Sequence, residues 1–293
     1  MRKAVITAML TVALSSLGFG QATRSGSDLV PNGKGQGVLA PPGQSNKARP
    51  TRGNGISFHG GPVMTTGPNV YFIWYGTWDS GDQSILTNLV RSIGPSSYFN
   101  INSTYYDGAG THVANKVNYI SARSDTSYSR GKSLSDSDIQ AIVAAGSPKD
   151  TNGVYFVLTS SDVNETSGFC TQYCGWHTHG TIGGLDIKYA FIGNPARCPS
   201  ACSNGTVAPN GSVGADGAAS IVAHELEEAT TDPDLNAWYD TRGAENADKC
   251  AWTFGTTYST SNGGVANVNF GGKDYLIQRN WVNASGGYCS MSY

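Results

Sequence analysis

Residues His224-Glu225-Leu226-Glu227-Glu228 follow the apolar run Ala218-Ala-Ser-Ile-Val-Ala223 and place one imidazole and three carboxylates in a single stretch. On an α-helix, His224 and Glu228 fall one turn apart on the same face, where both side chains can reach one metal ion. Glu225 lies roughly 100° round the helix from His224. That is the place of the general base in the His-Glu-x-x-His helices of zinc hydrolases, although the second histidine is a glutamate here. Carboxylates on an otherwise apolar helix need a cationic group to offset their desolvation. A metal ion would serve; the basic side chains nearby in sequence are Arg242 and Lys249. The competing reading is an exposed acidic helix face.

A zinc hydrolase centre takes three protein ligands, an open position for water and a base. Glu245, in Gly243-Ala-Glu-Asn-Ala-Asp-Lys-Cys250, is the expected third ligand. By analogy with thermolysin-like layouts, Asp248 is expected to accept the free N–H of His224 and fix its tautomer. Two rivals for the third ligand are Asp234, ten residues after His224, and His179 in Gly175-Trp-His-Thr-His-Gly180, where one of His177 and His179 is expected to face the site. Glu225 would polarise the water, with His179 or Tyr239 as the donor to the oxyanion. A His/Glu/Glu shell brings two negative charges to the ion, so its water is less acidified than in a His/His/Glu site. Zinc is the expected cofactor, and the harder donor set also admits calcium or manganese.

These residues need a scaffold, and its elements are readable. Asn69–Tyr75 is a continuous β-prone run that suits a central strand. Asp79 or Ser80 can cap a helix carrying Ile85, Leu86, Leu89, Val90 and Ile93, which Gly94-Pro95 ends. Val113 to Ser121 reads as a strand, and Ser135 opens a helix through Ile139, Ile142 and Val143. Gly153 to Leu158 and Tyr189 to Ile192 read as further strands. The longest helix runs from about Asp216 to Thr230 and stops at Asp232-Pro233. The expected class is α/β, with α+β as the neighbouring alternative. It has a central mixed sheet with packed helices, a zincin-like active-site helix and a β-rich C-terminal part.

The 293 residues divide into an expected signal peptide at 1–22, a flexible leader or pro-segment at 23–55, and a single folded domain at 56–293. No stretch after the signal is long and apolar enough for a membrane span. A net charge of −2 with 14% charged residues offers no basic footprint for nucleic acid. Cys170, Cys174, Cys198, Cys202, Cys250 and Cys289 suggest three disulfides in an exported chain. Cys250–Cys289 is the favoured pair, and the connectivity of the other four is open.

Several segments in order resemble the EXORDIUM/phosphate-induced protein 1 family. They are His59-Gly-Gly-Pro-Val-Met64, Val70-Tyr-Phe-Ile-Trp-Tyr-Gly76, Gly168-Phe-Cys-Thr-Gln-Tyr-Cys-Gly175 and Tyr189-Ala-Phe-Ile-Gly-Asn194, followed by Cys198 to Cys202 and Ala208 to Gly217. The resemblance implies a secreted, apoplast- or cell-wall-type protein and supplies no enzymatic activity. The chain reads as a bacterial-type relative that carries a zincin-like His-Glu-x-x-Glu motif. Two functional expectations follow. The first is a secreted metal-dependent hydrolase, with peptide or protein as its substrate. The second is a non-catalytic extracellular binding or signalling protein, associated with cell wall or carbohydrate, with at most a structural metal. Trp176, Trp238 and Trp252 are the candidate sugar platforms.

Overall fold

The computed structural model describes residues 24–25, 28–34, 55–204 and 207–293, so the expected signal peptide lies outside the described residues. A five-stranded sheet forms the centre. Its strands are β1 (Asn69–Tyr75), β2 (Asn118–Asp125), β3 (Gly153–Thr159), β4 (Gly175–Ile182) and β5 (Leu185–Ile192), in the spatial order β2-β1-β3-β5-β4. β1 pairs in parallel with β2 and β3, and β5 in parallel with β3, while β4 runs antiparallel to β5 at the edge. The sheet is mixed, as the α/β expectation requires. The central strand β3, Gly-Val-Tyr-Phe-Val-Leu-Thr, is buried at every position, the pattern of a strand covered on both faces.

Helix α1 (Ser80–Ile93) starts where the Asp79 carboxylate accepts the Gly81 N–H, and it buries Ile85, Leu86, Leu89, Val90 and Ile93. Helix α2 (Asp136–Ala145) opens with a reciprocal cap: the Ser135 hydroxyl accepts the Asp138 N–H and the Asp138 carboxylate accepts the Ser135 N–H. Helix α3 (Val213–Thr231) begins at Ser212, whose hydroxyl accepts the Ala215 N–H, and stops at Asp232 before Pro233. It packs against α1 and against β4 and β5. Nearly every residue of α3 is buried, including its charged ones, because the sheet covers one side and the C-terminal hairpins and the turn Phe99–Thr104 cover others.

Two strands differ from the sequence expectation. The strand expected at Val113–Ser121 lies at 118–125, since ladder pairing with β1 begins only at Asn69 opposite Asn118. Val113 and Val117 are buried in the approach to it. The strand expected at Tyr189–Ile192 starts four residues earlier, because Gly183 and Gly184, both at positive φ, make a two-residue turn that zips β4 onto β5. Beyond α3 the chain forms short hairpins: Tyr258–Ser259 with Val265–Ala266, Val268–Phe270 with Lys273–Tyr275, and Asn280–Val282 with Tyr288–Ser290.

Three disulfides tie this scaffold. Cys170–Cys198 and Cys174–Cys202 join the loop before β4 to the turn after β5, and Cys250–Cys289 fastens the segment beyond α3 to the last hairpin.

Candidate metal centre

Helix α3 presents His224 and Glu228 inward one turn apart. His224 Nε2 faces Glu228 Oε1 at 3.0 Å and Asp248 Oδ1 at 3.6 Å. From edge strand β4, His177 Nε2 faces Glu245 Oε1 at 3.2 Å and Glu228 Oε2 at 3.7 Å. The loop after α3 supplies Glu245 and Asp248, and it is held in place by backbone. The Asp248 N–H donates to Glu228 Oε1 at 3.1 Å, and the Glu245 N–H donates to Asp248 Oδ2 at 3.3 Å. All six residues of this centre, Glu225 included, are buried.

The donors fall into two triads, His177/Glu228/Glu245 and His224/Glu228/Asp248, and the ligand atoms of each lie within 4.8 Å of one another. Glu228 belongs to both. Four buried atoms of this centre have no hydrogen-bond partner among the described residues: Asp248 Oδ1, Glu225 Oε2 and the Nδ1 atoms of both histidines. Among the described residues, no lysine or arginine ion-pairs with these carboxylates. Lys249 instead pairs with Asp240 at 3.3 Å and lies over the Trp281 ring. Buried, unsatisfied carboxylate and imidazole atoms converging without a lysine or arginine are a donor set that fits a divalent cation.

The electrostatics agree with that fit. Burial, then repulsion from Glu228 and Asp248, pushes the Glu225 carboxyl well above its ordinary range. Burial and the neighbouring acids Glu228, Asp232 and Asp248 do the same to Glu245. Burial lowers the His177 pKa to about 4, against the pull of Glu228. His224 moves the other way: burial opposes its charged form, but Glu228, Asp248 and Glu225 override it and hold the pKa well above the usual value. Burial is the largest influence on all four groups, and for Glu225, Glu245 and His224 the crowded carboxylates add a raising influence that a cation would relieve.

Glu225 lies beside this cluster. Its Oε1 rests against Gly175 of β4, where a Cβ would fall 3.0 Å from that oxygen and 2.5 Å from Ile221 Cγ2. Glycine at 175 lets the strand approach the helix at this point. Glu227, the middle glutamate of the run, turns away and accepts a hydrogen bond from the Asn280 side chain. Asp232 closes the helix by accepting the N–H groups of Asn236 and Ala237, each at 2.6 Å. Burial raises its pKa to about 7.

The remaining candidates lie elsewhere. His179 is on the surface, with Nδ1 facing Asp186 at 2.8 Å and Asp234 at 3.6 Å, beside Lys188. The two rival third ligands, His179 and Asp234, thus meet each other in a separate cluster rather than joining His224. Tyr239 is buried, with its ring stacked on His59. Asp248 approaches His224 at Nε2, the side of Glu228, at 3.6 Å, and not at Nδ1, which has no hydrogen-bond partner among the described residues. Trp176 and Trp238 are buried core residues, so neither forms an open sugar platform, and Trp252 is half-buried. His177 is the residue whose place in the centre the sequence reading left undecided.

Part of the expected leader covers the strand that carries His177. The His177 N–H donates to Gly33 O at 3.1 Å, and the Leu29 N–H to Thr241 O at 3.2 Å. Lys34 Nζ anchors the end on Asp136 at 2.6 Å and Ser167 at 2.5 Å.

A disulfide-tied α/β scaffold with a buried His/carboxylate centre on its longest helix defines the class of protein. The family described as phosphate-induced protein 1 conserved region matches residues 56–279, and the chain belongs to it. The chain is 32% identical to Protein EXORDIUM-like 3 of Arabidopsis thaliana, over 85% of this chain and 84% of that protein. It is 31% identical to Protein EXORDIUM-like 5 of the same plant, over 77% and 75%. It is 28% identical to Protein PHOSPHATE-INDUCED 1 of Nicotiana tabacum, over 63% and 67%. No solved structure matches. The three disulfides fit an extracellular protein, and among the described residues no helix is long and apolar enough to cross a membrane.

Proposed function

We propose that this chain is an extracellular, non-catalytic member of its family in which a divalent cation, zinc first, locks α3, β4 and the loop at 245–248 into one body. The observation that carries this reading is the sealed donor set: among the described residues His177, His224, Glu228, Glu245 and Asp248 converge from three elements, all buried and with no lysine or arginine ion-paired to them. A centre with so many protein donors and so little solvent access resembles closed structural sites more than catalytic sites with an open position. Metal analysis of the purified full chain tests it. At least one divalent ion per chain is expected, lost in Glu228→Gln, and chelation should lower the Tm by several degrees. A metal-free chain whose melting ignores both chelator and added zinc would remove the proposal.

One observation favours hydrolysis as a second reading. Glu225 is buried beside the cluster with an unpartnered oxygen, the position of a general base beside a metal-bound water. Under that reading a cation would acidify the water and Glu225 would take its proton, cleaving a peptide or ester. Glu225→Gln should then keep the metal and abolish turnover. Equal turnover in that variant would leave the structural role alone.

A further inference from the structure

Glu228 is one carboxylate with two different neighbourhoods. Its Oε1 faces His224 at 3.0 Å and accepts the Asp248 N–H, while its Oε2 faces His177 at 3.7 Å on the side of Glu245. A zinc or manganese ion with bonds of roughly 2.0–2.3 Å spans donor atoms at most about 4.6 Å apart. The ligand atoms of each triad lie within 4.8 Å of one another, close to that span, and neither triad holds both histidines. The second triad also contains an unmet acceptor: Asp248 Oδ1 is buried, lies 3.6 Å from His224 Nε2, and has no hydrogen-bond partner. That gap lies beyond a hydrogen bond and within the reach of a shared cation.

The carboxylates divide the same way. Glu245 belongs to one triad, Asp248 to the other and Glu228 to both, so one ion at either triad leaves a buried carboxylate of the other without a cation. We infer that the centre binds two divalent cations bridged by Glu228. One would sit between His177, Glu245 and Glu228 Oε2, and the other between His224, Asp248 and Glu228 Oε1. This rests on the reading of the cluster as a metal centre and deepens it. Each ion receives one imidazole and two carboxylate ligands, a set suited to zinc and manganese.

The test is stoichiometry on the full chain, stripped with chelator and titrated with zinc and separately with manganese. Two ions per wild-type chain are expected. Glu245→Gln and Asp248→Asn should each retain one, and Glu228→Gln neither, with near-ultraviolet circular dichroism confirming that each variant is folded. Because a variant can fail to fold, the wild-type manganese form supplies a second readout. Ions sharing a carboxylate at about 3.5–4 Å give a spin-coupled spectrum instead of the six lines of isolated manganese. One ion per wild-type chain, or an uncoupled spectrum at saturation, overturns the paired centre and leaves a single-ion site standing. No bound ion overturns both.

Discussion

His177 and His179 lie on one face of strand β4, and two residues of extended chain, roughly 6–7 Å, decide their fates. His177 stands over the turn of α3 that carries Glu228, whereas His179 lies past the end of that helix and meets Asp234 and Asp186. Substitution should separate them. His177→Ala is expected to weaken metal binding by at least the roughly 10–100-fold commanded even by outer partners of a ligand. His179→Ala should leave binding unchanged; equal effects in competition with a fluorescent chelator would contradict this placement. Glu225 makes a second prediction. In metal-free protein at pH 7 its carboxyl must either stay protonated or bury a charge, so Glu225→Gln should raise stability by about 1–3 kcal/mol in urea unfolding. His224, Glu225, Glu228, Glu245 and Asp248 could be nominated from sequence because helical periodicity and a short loop link them. His177 could not be chosen over His179: their spacing assigns a shared face, and only the docking of the helix under the strand selects between them.

The helices were legible because their caps and periodicity are local. Asp79, Ser135 and the Asp232-Pro233 stop are all visible without knowledge of the tertiary structure. Strand β4 was not legible, because its histidines, threonines and glycines give no alternating apolar signal and its stability comes from pairing with β5 across Gly183-Gly184. Its burial in turn depends on two glycines. At Gly175 any side chain meets Ile221, the Phe191 carbonyl and Glu225, so Gly175→Val should cost about 1–3 kcal/mol and displace Glu225 from the cluster. At Gly33, where φ is +72°, a Cβ would lie 1.9 Å from the His177 carbonyl oxygen. Gly33→Ala should therefore lift the covering segment from the strand with little change in Tm. Hydrogen exchange reads the difference: faster exchange at the His177 amide in Gly33→Ala and a lowered melting temperature in Gly175→Val are expected, and unchanged His177 protection would show that the segment does not hold there.

Across the molecule, the centre joins parts of the chain that fold against opposite sides of α3, so its protonation should reach global stability. In the metal-free chain, burial and mutual repulsion raise the folded-state pKa values of Glu225 and Glu245, and burial raises Asp232 to about 7. Unfolded, these groups release their protons near pH 4. Between those limits the folded state binds more protons than the unfolded state, so stability falls as pH rises from about 4 through about 7. His224, also raised, acts in the same sense above about pH 6.5. His177 acts oppositely: its folded pKa of about 4 adds stability as pH rises from about 4 to 6.5, but one imidazole stands against three carboxyls. A bound cation inverts this balance, because its ligands must be deprotonated and its affinity grows as protons leave. Urea midpoints measured between pH 4.5 and pH 7 should therefore fall with pH in chelator and rise with pH in excess zinc. Midpoints that rise in both conditions would show that the buried carboxyls are not held protonated in the metal-free fold, and the electrostatic need for a cation would disappear with them.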